Sequence, residues 1–145
     1  DDAKIEKAKA LGADHVINYR TDRFEGAVRK LTAKKGVDVV FEHTGAETFP
    51  GSLLTMKRGG RLVTCGGTTG PMVTTDVRKL FWYQWDNLGS TMGGDREYQE
   101  VARHAFEGRF WPVVDSVVPL SEGREAFHRM ADGAQFGKLV IEVAP

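Results

Sequence analysis

The sequence predicts an α/β protein built on a doubly wound parallel sheet, and three observations carry that prediction. Segments with helical periodicity alternate with short β-branched runs along the chain. Several of its 17 glycines stand directly after apolar runs, where βα turns and helix ends fall. The composition, 41% hydrophobic and 28% charged, is that of an ordinary globular protein, and 145 residues can bury a real core. Alternation at this spacing implies parallel strands joined by right-handed crossovers, with helices on both faces.

Each element has its own signal. Residues 2–11 read as a helix, with aspartates at its start, Ile5, Ala8 and Leu11 near one face, and Gly12 as a left-handed stop. Residues 15–19 are short, apolar and β-branched, hence a strand. Phe24, Ala27, Val28 and Leu31 then follow the i, i+3, i+4, i+7 rule, and Gly36 lies just past the lysines that end that helix. Residues 37–42 form a compact strand. A helix over 47–57 follows, in which Pro50 is tolerated only near the first turn, and Gly59-Gly60 ends it. Residues 61–66 make the next strand. Val77, Leu80 and Phe81 mark a shorter helix, and 87–92 a strand running into Gly93-Gly94. Tyr98, Val101, Ala102 and Ala105 mark an amphipathic helix closed at Gly108. Residues 112–119 are strand-like, 121–130 helical with Ser121 as cap, and 139–143 a terminal strand.

Charge and cysteine content exclude several function classes. Twenty basic residues balance 20 acidic ones, so no electrostatic footprint for nucleic acid exists. Cys65 is the single cysteine, which rules out an internal disulfide and fits a reducing compartment. No apolar run approaches a membrane span, and the opening Asp1-Asp2-Ala3-Lys4 is unlike a signal peptide. A cytoplasmic protein is expected.

In doubly wound sheets, ligands bind at the carboxyl ends of the strands. Three strand-end loops carry small residues there: Thr44-Gly45-Ala46, Cys65-Gly66-Gly67-Thr68 and Gly89-Ser90-Thr91. Glycine in any one of them could serve turn geometry alone. Three on successive strands point to a flat ligand, a nucleotide, approaching the backbone closely. The dinucleotide fingerprint Gly-x-Gly-x-x-Gly is absent; the nearest match, Cys65, Gly67 and Gly70, lacks its first glycine and runs into Pro71. Its first strand and phosphate-binding loop would therefore lie before Asp1.

Of the histidines His15, His43, His104 and His128, none stands at zinc-ligand spacing to another or to Cys65. His43 is the one near the expected cleft, with ligand-facing and packing roles both open. Cys65 has no adjacent base or cation to make a thiolate, and reads as a small wall of a binding site. Phe81-Trp82-Tyr83 with Trp85 cannot all face one core, which leaves room for a contact with another domain or subunit. The 87–92 strand, at a sheet edge, could pair with its copy in a homodimer or tetramer.

Several stretches, in order, resemble the medium-chain dehydrogenase/reductase family. They are Ala8-x-x-Leu11-Gly12-Ala13-Asp14 with Val16-Ile17-Asn18-Tyr19, Gly36-Val37-Asp38-Val39-Val40-Phe41-Glu42, and Gly59-Gly60-Arg61-Leu62-Val63. Leu88-Gly89-Ser90-Thr91-Met92 and Phe136-Gly137-Lys138-Leu139-Val140 complete the set. The resemblance implies a Rossmann-like NAD(P)-binding domain over 1–111, lacking its first βα unit. It also implies a segment over 112–145 returning toward a catalytic domain outside this sequence. It places Lys4 near the adenosine ribose or a 2′-phosphate, Tyr19 lining the same region, and Thr44 and Gly45 in the adenine-side turn. Cys65 and Gly66, with Gly89, Ser90 and Thr91, would border the nicotinamide, and Lys138 would lie near the pyrophosphate. No catalytic residue and no metal ligand is assigned to this chain.

The family chemistry is hydride transfer between a nicotinamide dinucleotide and a small-molecule alcohol, carbonyl or conjugated alkene. Residues 39–49 are similar to crotonyl-thioester reductases, whereas Gly89-Ser90-Thr91-Met92 looks like zinc-type alcohol dehydrogenases, so zinc-dependent and zinc-free parents both stand. NADP is favoured over NAD because Lys4 and Arg20 could reach a 2′-phosphate, although Asp1 or Asp2 could accept from a free ribose hydroxyl. The rival readings are a non-catalytic nucleotide-binding or interaction domain and another doubly wound protein such as a methyltransferase.

Overall fold

The computed structural model describes residues 2–143, which fall into two compact units divided between Met92 and Gly93. The first unit opens with α1 (Asp2–Ala10) and α2 (Phe24–Leu31), followed by β1 (Val37–Glu42), α3 (Phe49–Thr55), β2 (Met56–Thr64), α4 (Val77–Tyr83) and β3 (Asp86–Gly89). Its sheet is parallel throughout, in the order β1-β2-β3. The expected strand direction is observed, and the expected alternation holds from α2 onward.

Apolar side chains from strands and helices meet behind this sheet. Leu53, Met56, Leu62 and Trp85 form the buried core, and Val40, Phe49 and Leu80 pack against it. The Trp85 indole N–H donates to the Lys57 carbonyl at 2.9 Å, and its ring stacks on Tyr83 with centroids 5.0 Å apart. The aromatic run therefore divides: Trp85 is core, while Phe81 and Trp82 are each 66% exposed. A Cβ on Gly51 would stand 2.6 Å from the Phe24 ring, so glycine there lets α2 and α3 touch.

Several elements differ from expectation, β2 ending at Thr64 and β4 starting at Val114 among them. Residues 15–19 are not a strand, because a ladder needs a neighbour and none lies beside them among the described residues. The chain instead turns at Asn18, whose carbonyl accepts from Thr21 and Asp22 and whose side chain accepts from the Arg20 N–H. β2 starts at Met56, before the glycines expected to precede it. Its register with β1 slips between the Val37↔Met56 and Val39↔Arg61 pairs, and Gly59 (φ +68°) and Gly60 lie in the resulting bulge. β3 is confined to Asp86–Gly89 because β2 itself turns away after Thr64, which pairs with Gly89. α3 is shorter than 47–57, with Pro50 in its first turn as its fixed φ requires.

The second unit contains α5 (Asp95–Phe106), β4 (Val114–Pro119), α6 (Gly123–Ala131) and β5 (Lys138–Glu142), with β4 and β5 parallel. α5 starts with the Glu97 carboxylate accepting from the Gly94 N–H at 2.9 Å. Ser121 does not cap α6. It lies in a 3-10 turn, Leu120–Glu122, and α6 begins at Gly123 without a side-chain cap. Asp115 ties the unit together, pairing with Arg129 at 2.5 Å and accepting from the Phe136 N–H at 2.9 Å. No helix among the described residues is long and apolar enough to cross a membrane.

Candidate functional site

The parallel register sets three strand ends side by side: Glu42 pairs with Thr64, and Thr64 with Gly89. The turns after them, Thr44-Gly45, Cys65-Gly66 and Ser90-Thr91, therefore leave the same edge of the sheet. Ser90 remains tied to β2 through its N–H to the Thr64 carbonyl at 2.9 Å, and Cys65 to β1 through its N–H to the Glu42 carbonyl at 3.2 Å. Gly89 has open space where a Cβ would point. Cys65 is exposed.

Beside this edge lies a cavity of about 280 Å³ lined by Ile17, Tyr19, Phe24, Phe41, Glu42, His43, Thr44, Thr48 and Ser52. Tyr19, expected in the region of the ribose or 2′-phosphate, and Thr44, expected in the adenine-side turn, meet here. His43 lines the same space, so it faces the cavity rather than packing in the core. Aromatic walls with polar groups between them suit a flat heterocycle.

Glu42 organises this wall. It is 3% exposed, yet its Oε1 accepts from the Thr44 N–H at 2.7 Å and the Gly45 N–H at 3.1 Å, and its Oε2 from the Ser52 hydroxyl at 2.6 Å. The Thr48 hydroxyl reaches both oxygens at 3.0 Å. Burial alone would raise its pKa, but these hydrogen bonds outweigh burial and hold the carboxyl below the usual glutamate range. The βα turn is thus fixed from beneath by one ionised side chain. Sequence reasoning passed over Glu42, Thr48 and Ser52 as site residues. A carboxylate closing an apolar strand, followed by hydroxyls four apart on one helical face, was the signal available.

The remaining expected residues fall elsewhere. Lys4 lies on α1, half-buried, and does not line the cavity. Lys138 opens β5 in the second unit, where its N–H donates to the Val113 carbonyl at 2.8 Å. Asp1 and the Asp2 side chain lie outside the described residues. Among the described residues, no group of three or more His, Cys, Asp or Glu side chains could hold a metal ion.

Comparison with known proteins agrees with this geometry. The family model for zinc-binding dehydrogenases matches residues 11–141. The chain belongs to that family. Within the family it is 32% identical to a crotonyl-CoA reductase of Streptomyces avermitilis over 98% of its own length, and spans 36% of that relative. A solved NAD-dependent alcohol dehydrogenase superposes over 99% of the chain with a TM-score of 0.90 and 36% identity, the chain covering 42% of that structure. A 2-octenoyl-CoA carboxylase reductase, solved with NADP and 2-octenoyl-CoA, superposes over 92% of the chain and is covered over 34% of its own, with a TM-score of 0.81 and 32% identity. The Rossmann-like fold expected of this zinc-binding dehydrogenase chain is thereby shown, and alcohol dehydrogenases and enoyl-thioester reductases both stand among its relatives.

Proposed function

We propose that this chain is the cofactor-binding part of an NAD(P)-dependent oxidoreductase that moves hydride to or from an alcohol or carbonyl. The alignment of three parallel strand ends beside an aromatic-walled cavity supports the reading. Adenine lies beside Thr44 and Gly45, and Tyr19 lines the region of the adenosine ribose. The backbones of Cys65, Gly66, Gly89, Ser90 and Thr91 border the nicotinamide, and Lys4 reaches the ribose or its 2′-phosphate. The bound dinucleotide supplies the hydride chemistry, while these residues orient its rings and keep water away. Residues 1–111 bind the cofactor. Residues 112–145 lead back to a catalytic domain that carries the substrate-polarising groups, with or without zinc, in a cytoplasmic protein.

NADPH is the preferred cofactor in this reading, through Lys4 and Arg20. One or two charge-assisted contacts to a 2′-phosphate give the whole protein a Kd for NADPH about 10-fold or more below that for NADH. Titration of both cofactors checks this, and equal or tighter NADH binding overturns it.

The similarity to crotonyl-CoA reductase, together with residues 39–49, supports a second reading: zinc-free reduction of an enoyl thioester. The two readings separate in one assay of the whole protein. NADPH oxidation that requires crotonyl-CoA and survives chelation selects the reductase, whereas alcohol-dependent NADP⁺ reduction lost on chelation selects the zinc-type dehydrogenase.

β3 is exposed along its length, and among the described residues it pairs only with β2. In our reading its free edge joins a second copy to make a homodimer, or the dimers of a tetramer. Leu88→Lys places a charge on that edge and is expected to shift the sedimentation profile to monomer at micromolar concentration. An unchanged profile would place the contact elsewhere.

A further inference from the structure

The turn after β1 and the loop after β2 are built as one piece, and Thr69 is the residue that joins them. The Thr69 N–H donates to the Thr44 carbonyl at 2.7 Å and its hydroxyl donates to the same carbonyl at 2.9 Å. That hydroxyl also accepts from the Glu47 N–H at 3.1 Å. Alongside, the Ala46 N–H donates to the Gly70 carbonyl at 3.0 Å, and the Thr68 hydroxyl to the His43 carbonyl at 3.4 Å. The two backbones touch with no space between. A Cβ on Gly45, already at φ +95°, would lie 2.5 Å from the Gly70 oxygen, and one on Gly66 would lie 2.8 Å from the His43 oxygen.

We infer that Thr69 is a positioning residue that sets the adenine-side turn and the nicotinamide-side loop at a fixed spacing, so that one dinucleotide meets both at once. The inference rests on the dinucleotide reading above. Thr69 is exposed, so its hydroxyl adds little to folding. Its effect falls on ligands that span both segments. A dinucleotide pays to realign two loosened segments, whereas a ligand confined to the adenosine side does not.

The test compares two probes, NADPH and 2′,5′-ADP, on the whole protein. Thr69→Val, which keeps the shape and removes the hydroxyl, is expected to raise the Kd for NADPH about 5-fold, since two exposed hydrogen bonds are lost. The Kd for 2′,5′-ADP should change less than about 2-fold and Tm by no more than roughly 2 °C. Thr69→Ser restores the hydroxyl and should restore NADPH binding. Equal weakening of both probes, a large fall in Tm with Ser failing to rescue, or no change in either Kd overturns the role of Thr69 alone. Wild-type whole protein that binds neither probe overturns the dinucleotide reading, and the positioning role with it.

Discussion

Glu42→Ala is expected to destabilise the first unit by about 3–5 kcal/mol, because it strands several buried donors at once. The Thr44 and Gly45 amides and the Thr48 and Ser52 hydroxyls all converge on this carboxylate. Removing it takes the acceptor from the Gly45 amide and the Ser52 hydroxyl, whose bonds to it are buried. Glu42→Gln keeps the shape and one carbonyl acceptor, and the Ser52 hydroxyl can rotate to accept from the new amide. Its cost is therefore smaller, about 1–2 kcal/mol. The pH dependence separates charge from shape. The native carboxyl titrates below its unfolded value of about 4.3, so its ionisation contributes stability above that pH. The contribution fades as pH falls through the native pKa. The gap between wild type and Glu42→Gln should thus be full at pH 7 and shrink below about pH 4. Denaturant melts at both pH values measure it, and a gap that is constant with pH would mean that the ionised form has no special role.

Trp85→Ala should have an effect of similar size by a different route. The ring is 8% exposed and packs with Leu53, Met56 and Leu62, which bring α3 and β2 together. Truncation removes that burial, leaves a cavity, and takes the indole donor away from the Lys57 carbonyl in the β2 bulge. The expected loss is about 3–5 kcal/mol, or a fall in Tm of roughly 10–20 °C. Trp85→Phe keeps most of the apolar contact and loses the hydrogen bond, at about 1 kcal/mol from the bond itself. A Trp85→Ala protein melting within a degree or two of wild type would show that the core does not depend on this ring. Phe81→Ala is the internal control, since that neighbouring ring is mostly exposed.

Local periodicity determined the element types and their order. Phe24, Val28 and Leu31 mark α2, the β-branched run before Glu42 marks β1, and left-handed Gly12, Gly108 and Gly133 follow α1, α5 and α6, because these signals depend on neighbours within one or two turns of chain. The same order, carrying its strand-end glycines, was enough to fix the family and to name Thr44, Gly45, Cys65, Gly66, Gly89, Ser90 and Thr91 as the segments leaving one sheet edge. Strand status was not legible in this way. Residues 15–19 have the composition of a strand but no neighbour to pair with, and β2 acquires its early start and bulge only through its register with β1.

Composition could not tell Trp85 from Phe81 and Trp82, since burial depends on what lies across the core. Nor could it show that Glu42, Thr48 and Ser52 converge on one wall, or that Thr69 bridges to Thr44 across 25 residues. Sequence alone determined the fold class and the strand-end loops, because both are written in short-range patterns. Tertiary structure decided which polar groups hold those loops in place, because hydrogen bonds between distant segments exist only once the parallel sheet has brought its carboxyl ends together.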